Sequence, residues 1–285
     1  IRVLTLKHLE PALERGEFDF VGDLAGKLPM DVISEMIGVP AADRDELRGL
    51  SDLLVHREKG VHDVPPAAAD ASLRLVVYYS DMLAERRARP TDDLTSALLE
   101  AEIDGARLSD DEIIGFLFLM VVAGNETTTK LLANAWYWAW RNPSERAVPF
   151  SDPARIDGWV EETLRYDTSS QMLARVTTED VELHGTRIPA GERVLLLVGS
   201  ANRDERVFPD ADRYDVGRDT SQLASFGVGR HFCLGASLAR LEARVALQEL
   251  VARVADYDID ADRAVRVHSV NVRGFASLPT RVVVR

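Results

Sequence analysis

One long segment, which the sequence predicts to be a single helix, most constrains the fold of this chain. Ser109 and Glu112 form a capping-box pattern, in which each side chain can bond the other residue's backbone N–H at a helix start. An apolar run follows at residues 113–123, and the helical pattern can continue to Arg141. This run is far shorter than the about 20 residues that a membrane-spanning helix needs. We therefore expect an internal core helix and no membrane span.

Helical periodicity dominates the first half of the chain, and short alternating segments follow in the second half. Because neither internal repeats nor a linker divides the chain, we expect one domain over residues 1–285, mainly α with small sheets in the C-terminal half. Helices are predicted at residues 1–14, 29–37, 43–57, 67–89, 92–101, 154–166 and 235–255, strands at residues 181–183 and 193–198 and from residue 265 onward, and loops at residues 60–66 and 202–220.

The composition argues against several classes of protein. Hydrophobic residues make up 46% of the chain and charged residues 28%, which is ordinary for a soluble globular protein. The formal net charge of -13 and the lack of a basic run argue against nucleic-acid binding. A single cysteine excludes an internal disulfide and fits a reducing compartment, and no signal-peptide pattern opens the chain. We expect a cytoplasmic monomer.

The only cysteine, Cys233, lies in a glycine-rich turn directly before a predicted helix. A helix N-terminus offers free N–H groups and a favourable dipole to a thiolate, and glycines let the backbone approach a flat ligand closely. A dinucleotide-binding fingerprint is excluded, because Phe232 stands where the third glycine is needed. The alternative to a ligating thiolate is a buried, inert cysteine beside a helix cap.

A polar stretch at residues 123–129, Ala-Gly-Asn-Glu-Thr-Thr-Thr, interrupts the longest predicted helix directly after its apolar run. Glycine costs about 1 kcal/mol against alanine in a helix interior. Threonine hydroxyls can bond back to a carbonyl four residues earlier and bend the helix. The stretch suits a widened groove that holds a small polar ligand near a proton donor. A kinked helix whose polar end reaches the surface fits equally well.

Glu162 and Arg165 share one face of a predicted helix through their i, i+3 spacing. Taken alone, this spacing favours an exposed ion pair worth about 0.2–0.5 kcal/mol. Arg175 and His231, taken alone, are ordinary surface or loop residues.

Together these segments resemble the cytochrome P450 family. The haem loop of that family has the pattern Phe-x-x-Gly-x-(Arg or His)-x-Cys-x-Gly. This chain matches it at Phe226, Gly229, His231, Cys233 and Gly235.

Two further motifs of the family occur in the family's order. Its oxygen-groove helix has the pattern Ala-Gly-x-(Asp or Glu)-Thr, and its Glu-x-x-Arg motif lies downstream. The matching residues are Ala123, Gly124, Glu126 and Thr127 for the groove, and Glu162 and Arg165 for the second motif. Three motifs in the correct order make a chance match very improbable, and the resemblance covers essentially the whole chain.

The resemblance implies a haem b cofactor (iron protoporphyrin IX) with Cys233 as the ligand of the iron. Thiolate ligation pushes electron density onto haem iron and favours O–O cleavage. Glu126 and Thr127 would organise water and deliver protons, whereas Glu162 and Arg165 would be structural. The remaining expected cofactor contacts are Phe226, Gly227, Gly235, Ala123 and Gly124, with His231 and Arg175 on the haem propionates.

The family inserts one oxygen atom from dioxygen into a C–H or C=C bond and reduces the other atom to water. Since the chain has no flavin or iron–sulfur motif, the electrons must come from outside, and we expect a ferredoxin-type donor. Arg230, Arg240 and Arg244 form either a basic dock for that donor or a set of solvated helix charges. The substrate is expected to be a small lipophilic molecule, with Phe118, Val122, Ser170, Met172 and Val272 as the pocket candidates.

Two alternatives differ from an electron-driven monooxygenase. A haem peroxygenase would use peroxide and need no electron donor, but the Glu126–Thr127 pair argues against it. A non-catalytic haem-binding fragment is the other alternative. The family has several helices before the region that Ile1 resembles, so we expect the chain to be N-terminally incomplete.

Overall fold

The computed structural model describes residues 1–55, residue 57 and residues 63–285. Parts of two predicted segments lie outside the described residues, namely residue 56 of the predicted helix 43–57 and residues 60–62 of the predicted loop 60–66.

Helices dominate the described part of the chain, as predicted. The sequence pattern did not predict the helix Pro143–Ser151, because its first residue is a proline and a second proline lies inside it, and it did not predict a short π-helix at Phe20–Ala25. The α-helices are α1 (Arg2–Arg15), α2 (Leu28–Ile37), α3 (Arg44–Val55), α4 (Pro66–Ala88), α5 (Leu94–Glu100), α6 (Asp110–Arg141), α7 (Pro143–Ser151), α8 (Ile156–Tyr166), α9 (Val198–Ala201) and α10 (Ala236–Arg253).

The strands are short, and their sheets are small and antiparallel. The largest sheet has the order β1-β11-β8, and the pairs are β2–β3, β4–β7, β5–β6 and β9–β10. Most strands lie in the C-terminal half, as predicted, but β1 joins its first-half residues to the last strand. The strands are β1 (Glu17–Asp19), β2 (Glu102–Ile103), β3 (Ala106–Arg107), β4 (Leu173–Val176), β5 (Val181–Leu183), β6 (Thr186–Ile188), β7 (Arg193–Leu196), β8 (Val254–Ile259), β9 (Val265–Arg266), β10 (Phe275–Ser277) and β11 (Pro279–Val284).

Helix α6 begins as its capping box predicts. The Ser109 backbone N–H donates to Glu112 Oε2 at 2.8 Å, and the Glu112 N–H donates to Ser109 Oγ at 3.4 Å. Neither α6 nor any other described helix combines the length and the apolar character that crossing a membrane would need.

Both hydrophobic cores of the molecule are built around α6. Residues of its first half, such as Leu117, pack with α2, α3 and α4 in one core. In its second half, the fully buried Trp136 lies in the other core and stacks on Phe20 and Tyr257, with ring centroids 5.1 and 3.5 Å apart. Burial of each such side chain contributes about 1.5–3 kcal/mol. The polar stretch of α6 therefore lies between two packed regions, which hold it in place.

Candidate functional site

The cysteine loop, defined here as residues 226–235, leads directly into α10. Gly227 and Gly229 have φ values of +68° and +66°, in the left-handed region where side chains other than glycine are strained. The Cys233 N–H donates to the Phe226 carbonyl at 2.8 Å and closes the loop on itself. Cys233 is exposed, so the alternative of a buried, inert cysteine is wrong.

Large apolar side chains are exposed on the same loop as this thiol. Val228, Leu234 and Phe232 are 82%, 77% and 54% exposed, which is unusual for large apolar residues clustered on one short loop. A second apolar surface lies on the antiparallel β4–β7 pair and the residue after it, where Val176, Leu195, Leu196 and Leu197 are exposed. A single soft thiolate donor beside flat apolar surface fits haem, whose iron accepts a cysteine ligand. The residues present therefore fit the cofactor that the resemblance implies.

The predicted groove on α6 has two chemically different sides. Thr127 Oγ1 donates to the Ala123 carbonyl at 2.7 Å, the backward bond expected of threonine in a helix. Ala123 is exposed and Thr127 is partly exposed. Glu126, by contrast, is buried with only 3% of its surface exposed. Gly124 is not required by packing among the described residues, since an added Cβ would lie at an ordinary 3.8 Å from Ile33.

Glu126 belongs to a buried polar cluster instead of a solvated helix end. Lys130 Nζ lies 3.2 Å from Glu126 Oε2, and both side chains are almost fully buried. Asn125, Thr128 and Thr129 of the same stretch are buried as well. The alternative of a polar helix end at the surface is therefore wrong. The i, i+4 spacing of Glu126 and Lys130 was a signal in the sequence that could have revealed this pair.

Asp52 of α3 approaches the same cluster. The pKa of its carboxyl group is raised to about 7, first by burial and then by a hydrogen bond and a charge interaction with Glu126. Asp52 is nonetheless exposed to solvent, so it can exchange a proton with water while it faces Glu126. Sequence reasoning missed Asp52, because it is separated from Glu126 by more than seventy residues and meets it only through helix packing.

Glu162 and Arg165 form a fully buried ion pair. Arg165 Nε and Nη2 donate to the two carboxylate oxygens of Glu162, each at 2.7 Å. Arg165 also donates to the carbonyls of Asn202, Ala211 and Arg213 at 2.9–3.0 Å. The prediction of an exposed pair from the spacing alone is thus wrong, because the extended segment after α9 covers both side chains.

Asn202 carries this network on to the cysteine loop. Its Nδ2 donates to Ser225 Oγ at 2.7 Å, and its Oδ1 accepts the N–H of Ala224 at 2.9 Å. Ser225 Oγ donates in turn to the Leu164 carbonyl of α8 at 2.6 Å. Hydrogen bonds therefore connect α8 to the residue that directly precedes Phe226. A lone asparagine in a polar loop gave no sequence signal for this role.

The other predicted residues lie on separate elements. Arg175 of β4 is half-buried and donates to the adjacent Ala174 carbonyl at 2.9 Å, whereas His231 is exposed on a 3-10 turn. In the described part of the chain, no hydrogen bond or ion pair joins the cysteine loop to α6. Of the pocket candidates, the structure pairs Ser170 with Val272 in an isolated β-bridge, and Phe118, Val122 and Met172 are partly buried.

Comparison with known proteins identifies the family. The cytochrome P450 family model matches residues 156–264. A protein of Mycobacterium tuberculosis that is provisionally named cytochrome P450 123 is 62% identical over 279 residues, covering 98% of this chain and 69% of that protein. Steroid C26-monooxygenase of the same species is 39% identical over 275 residues, covering 95% of this chain and 69% of that enzyme.

A solved structure agrees with the sequence comparisons. Cytochrome P450 CYP109Q5 from Chondromyces apiculatus superimposes with a TM-score of 0.90 at 37% identity, over 100% of this chain and 71% of that chain. The chain therefore belongs to the cytochrome P450 family of haem-thiolate monooxygenases.

Proposed function

We propose that this chain inserts one oxygen atom of dioxygen into a lipophilic small molecule, with haem b held by Cys233 and electrons supplied by an external ferredoxin-type donor. The observation that carries the proposal is the exposed Cys233 thiol, held at the start of α10 in a loop with large exposed apolar side chains. When bound, haem supplies the redox-active iron at which dioxygen is reduced, and thiolate ligation favours O–O cleavage.

The residues around the loop have distinct proposed tasks. Cys233 provides the thiolate, while Phe226, Gly227 and Gly235 contact the cofactor on that side. His231 and Arg175 donate hydrogen bonds to its two carboxylates. Glu162 and Arg165 hold the segment that positions the loop, through the contacts to Asn202 and beyond.

On the opposite side, the backbone at Ala123 and Gly124 leaves room for dioxygen, and Thr127 organises water. The Thr127 hydroxyl proton is committed to the Ala123 carbonyl, so its oxygen lone pairs face outward and accept a hydrogen bond from water. Glu126 supplies the proton to that water. Asp52 is exposed to solvent, and its raised pKa favours a proton that it can donate to Glu126 through their hydrogen bond, so Asp52 returns the proton after each transfer.

The electron donor must dock near the cysteine loop. Arg230 is exposed there, whereas Arg240 and Arg244 of α10 are engaged with Glu161 and Asp157 of α8. An acidic ferredoxin suits an exposed cation on this face.

The pocket candidates Phe118, Val122, Met172 and Val272, with Ser170, present mainly apolar surface with little charge, which favours a lipophilic substrate. Steroids are the first compounds to test, because the name of one relative at 39% identity specifies a steroid substrate.

Turnover assays test this function. With a ferredoxin, its reductase and a steroid panel, we expect product formation, and peroxide alone should give much less. Thr127→Ala should consume electrons without forming an equivalent amount of product. Equal turnover with peroxide alone, or unchanged coupling in Thr127→Ala, would contradict the proposed role of the Glu126–Thr127 pair.

A further inference from the structure

Arg240 makes two different contacts beside the cysteine loop. Its Nε and Nη2 donate to the two carboxylate oxygens of Glu161 at 2.5 and 2.9 Å. Its guanidinium carbon also lies 4.4 Å from the centroid of the Phe226 ring, within the range of a cation–π interaction. The side chains of Arg240 and Glu161 are 37% and 25% exposed, so solvent screens this pair only in part. One side chain of α10 thus joins α8 to the first residue of the cysteine loop.

Phe226 is the residue through which this contact reaches Cys233. Its carbonyl accepts the Cys233 N–H at 2.8 Å, and its ring lies 6.5 Å from the ring of Phe232, the neighbour of Cys233. Ser225, one residue earlier, is already tied to the Leu164 carbonyl of α8. Arg240 fixes the ring of Phe226, while Ser225 fixes the backbone that leads to it. A displaced Phe226 would therefore move the acceptor of the Cys233 amide.

The charge of Arg240 is stabilised by its surroundings. The pKa of Arg240 is raised above its ordinary value, first by the hydrogen bonds to Glu161, against a smaller opposing effect of burial, and then by charge interactions with Glu161 and Cys233. A guanidinium that Glu161 keeps charged also keeps its attraction for the face of the Phe226 ring.

Arg244, one helical turn further along α10, provides a comparison. Its Nη1 lies 3.6 Å from Asp157 Oδ2, beyond ordinary hydrogen-bond length, and its side chain is 42% exposed. The described residues include no aromatic ring within cation–π range of it. The two arginines share a helix, a charge and an acidic partner on α8, but only Arg240 touches the loop.

We propose that Arg240, together with Glu161, is a positioning residue that clamps Phe226 and thereby holds the backbone that presents Cys233 to the iron. This assignment rests on the proposed function, in which Cys233 binds haem iron. It also separates Arg240 from the electron-donor dock, because two of its nitrogen atoms already face Glu161.

The test uses the haem-loaded protein and the variants Arg240→Gln, Arg240→Lys, Glu161→Gln and, as the matched control, Arg244→Gln. The reduced carbon monoxide complex of each variant is followed by absorption over time at one fixed pH and temperature. The readout is the rate at which the strongly red-shifted thiolate Soret band converts to the band of a complex that has lost its thiolate ligand. Reduction by a ferredoxin is measured separately at several salt concentrations.

We expect Arg240→Gln to convert about five to ten times faster than the parent protein, as the loss of one cation–π contact and one partly screened ion pair implies. Arg240→Lys should recover part of the loss, because an ammonium group still covers the ring. Glu161→Gln should lie between Arg240→Gln and the parent protein, and Arg244→Gln should match the parent protein.

Equal conversion in Arg240→Gln and Arg244→Gln would overturn the clamp while leaving the proposed function intact, because the parent protein would still show the thiolate band. A change confined to the salt-dependent ferredoxin reduction would also overturn the clamp and would assign Arg240 to docking. Absence of the thiolate band in the parent protein would contradict the proposed function itself. If Arg240→Gln does not load haem, Arg240→Lys and Glu161→Gln decide the matter by the same comparison with Arg244→Gln.

Discussion

Lys130 Nζ lies 3.2 Å from the carboxylate of Glu126, one turn earlier on α6, and both side chains are buried. A charged pair placed in the middle of the longest helix, between two hydrophobic cores, is costly unless each charge has its partner. Lys130 therefore holds the carboxylate of Glu126 in place. This pair and three other features of the structure each give a measurable prediction.

Removal of Lys130 should destabilise the protein strongly. Lys130→Met leaves Glu126 buried without a cation, and we expect the free energy of unfolding to fall by about 3–5 kcal/mol. Adding Glu126→Gln to this variant should recover most of the loss, because no buried charge remains. Urea unfolding of the two single variants and the double variant measures the coupling. A loss below about 1 kcal/mol in Lys130→Met would show that the pair is dispensable.

We expect a side chain at position 274 to destabilise the protein for a steric reason. A Cβ at this position would lie 2.6, 2.8 and 3.0 Å from Cβ, Cγ and Cδ of Lys130. Gly274→Ala should therefore cost about 1–3 kcal/mol of stability. Gly115→Ala is the matched control, since an added Cβ there meets nothing within 4 Å and the helix should gain about 1 kcal/mol. Thermal unfolding should give a lower midpoint temperature for Gly274→Ala and a higher one for Gly115→Ala than for the parent protein. Equal changes of the midpoint in the two variants would contradict the predicted steric clash.

Arg165 should not tolerate lysine. Its guanidinium serves one carboxylate and three carbonyls at once, and an ammonium group cannot reproduce that planar arrangement. We expect Arg165→Lys to lose haem on gel filtration and about 3–5 kcal/mol of stability. Arg187→Lys, in an exposed pair with Asp180, should change stability by less than about 0.5 kcal/mol. Full haem retention by Arg165→Lys would contradict the proposed structural role.

Glu242 of α10 gives stability a pH dependence. Burial raises its pKa from an ordinary value of 4.5 to about 8, and its Oε2 makes no hydrogen bond within the described part of the chain. Between these two values the folded protein keeps a proton that the unfolded chain releases, so stability falls as pH rises through this window. The cost is absent below about pH 4 and complete above about pH 8.

Glu242→Gln removes this cost, because its amide carries no charge at any pH in the window. Its free energy of unfolding should exceed that of the parent protein by an amount that grows from pH 5 to pH 8, on the order of 3 kcal/mol at the upper end. Urea unfolding at intervals across this range measures the difference. A difference independent of pH would mean that Glu242 is charged throughout or finds a cation.

Local chemistry made the helices and the cysteine loop predictable from the sequence. The capping box at Ser109 fixed the start of α6, and proline and glycine marked several of the helix ends. Helix α7 escaped prediction because two of its nine residues are prolines, which normally end a helix. The largest sheet was not predicted either. In it, Glu17 of β1 pairs with Arg281 of β11, and no local pattern indicates a partner so distant in the chain.

The candidate site also contains residues that the sequence predicts and residues that it does not. Cys233, Thr127 and Glu162 stand in short motifs, so the sequence alone predicts them as site residues. Asp52 and the ring contact of Arg240 depend on how helices pack, and nothing in their neighbouring residues indicates them. The burial of the Glu162–Arg165 pair could not be predicted from the sequence either, because the spacing of the two residues is the same in an exposed pair and in a buried one.

The absorption spectrum of the dithionite-reduced protein under carbon monoxide tests whether Cys233 binds haem iron as a thiolate. We predict a strongly red-shifted Soret band that disappears in Cys233→Ser, which would establish haem and thiolate ligation together. A Soret band at the ordinary histidine-ligated position, or a red-shifted band that survives in Cys233→Ser, would contradict the assignment of Cys233 as the iron ligand.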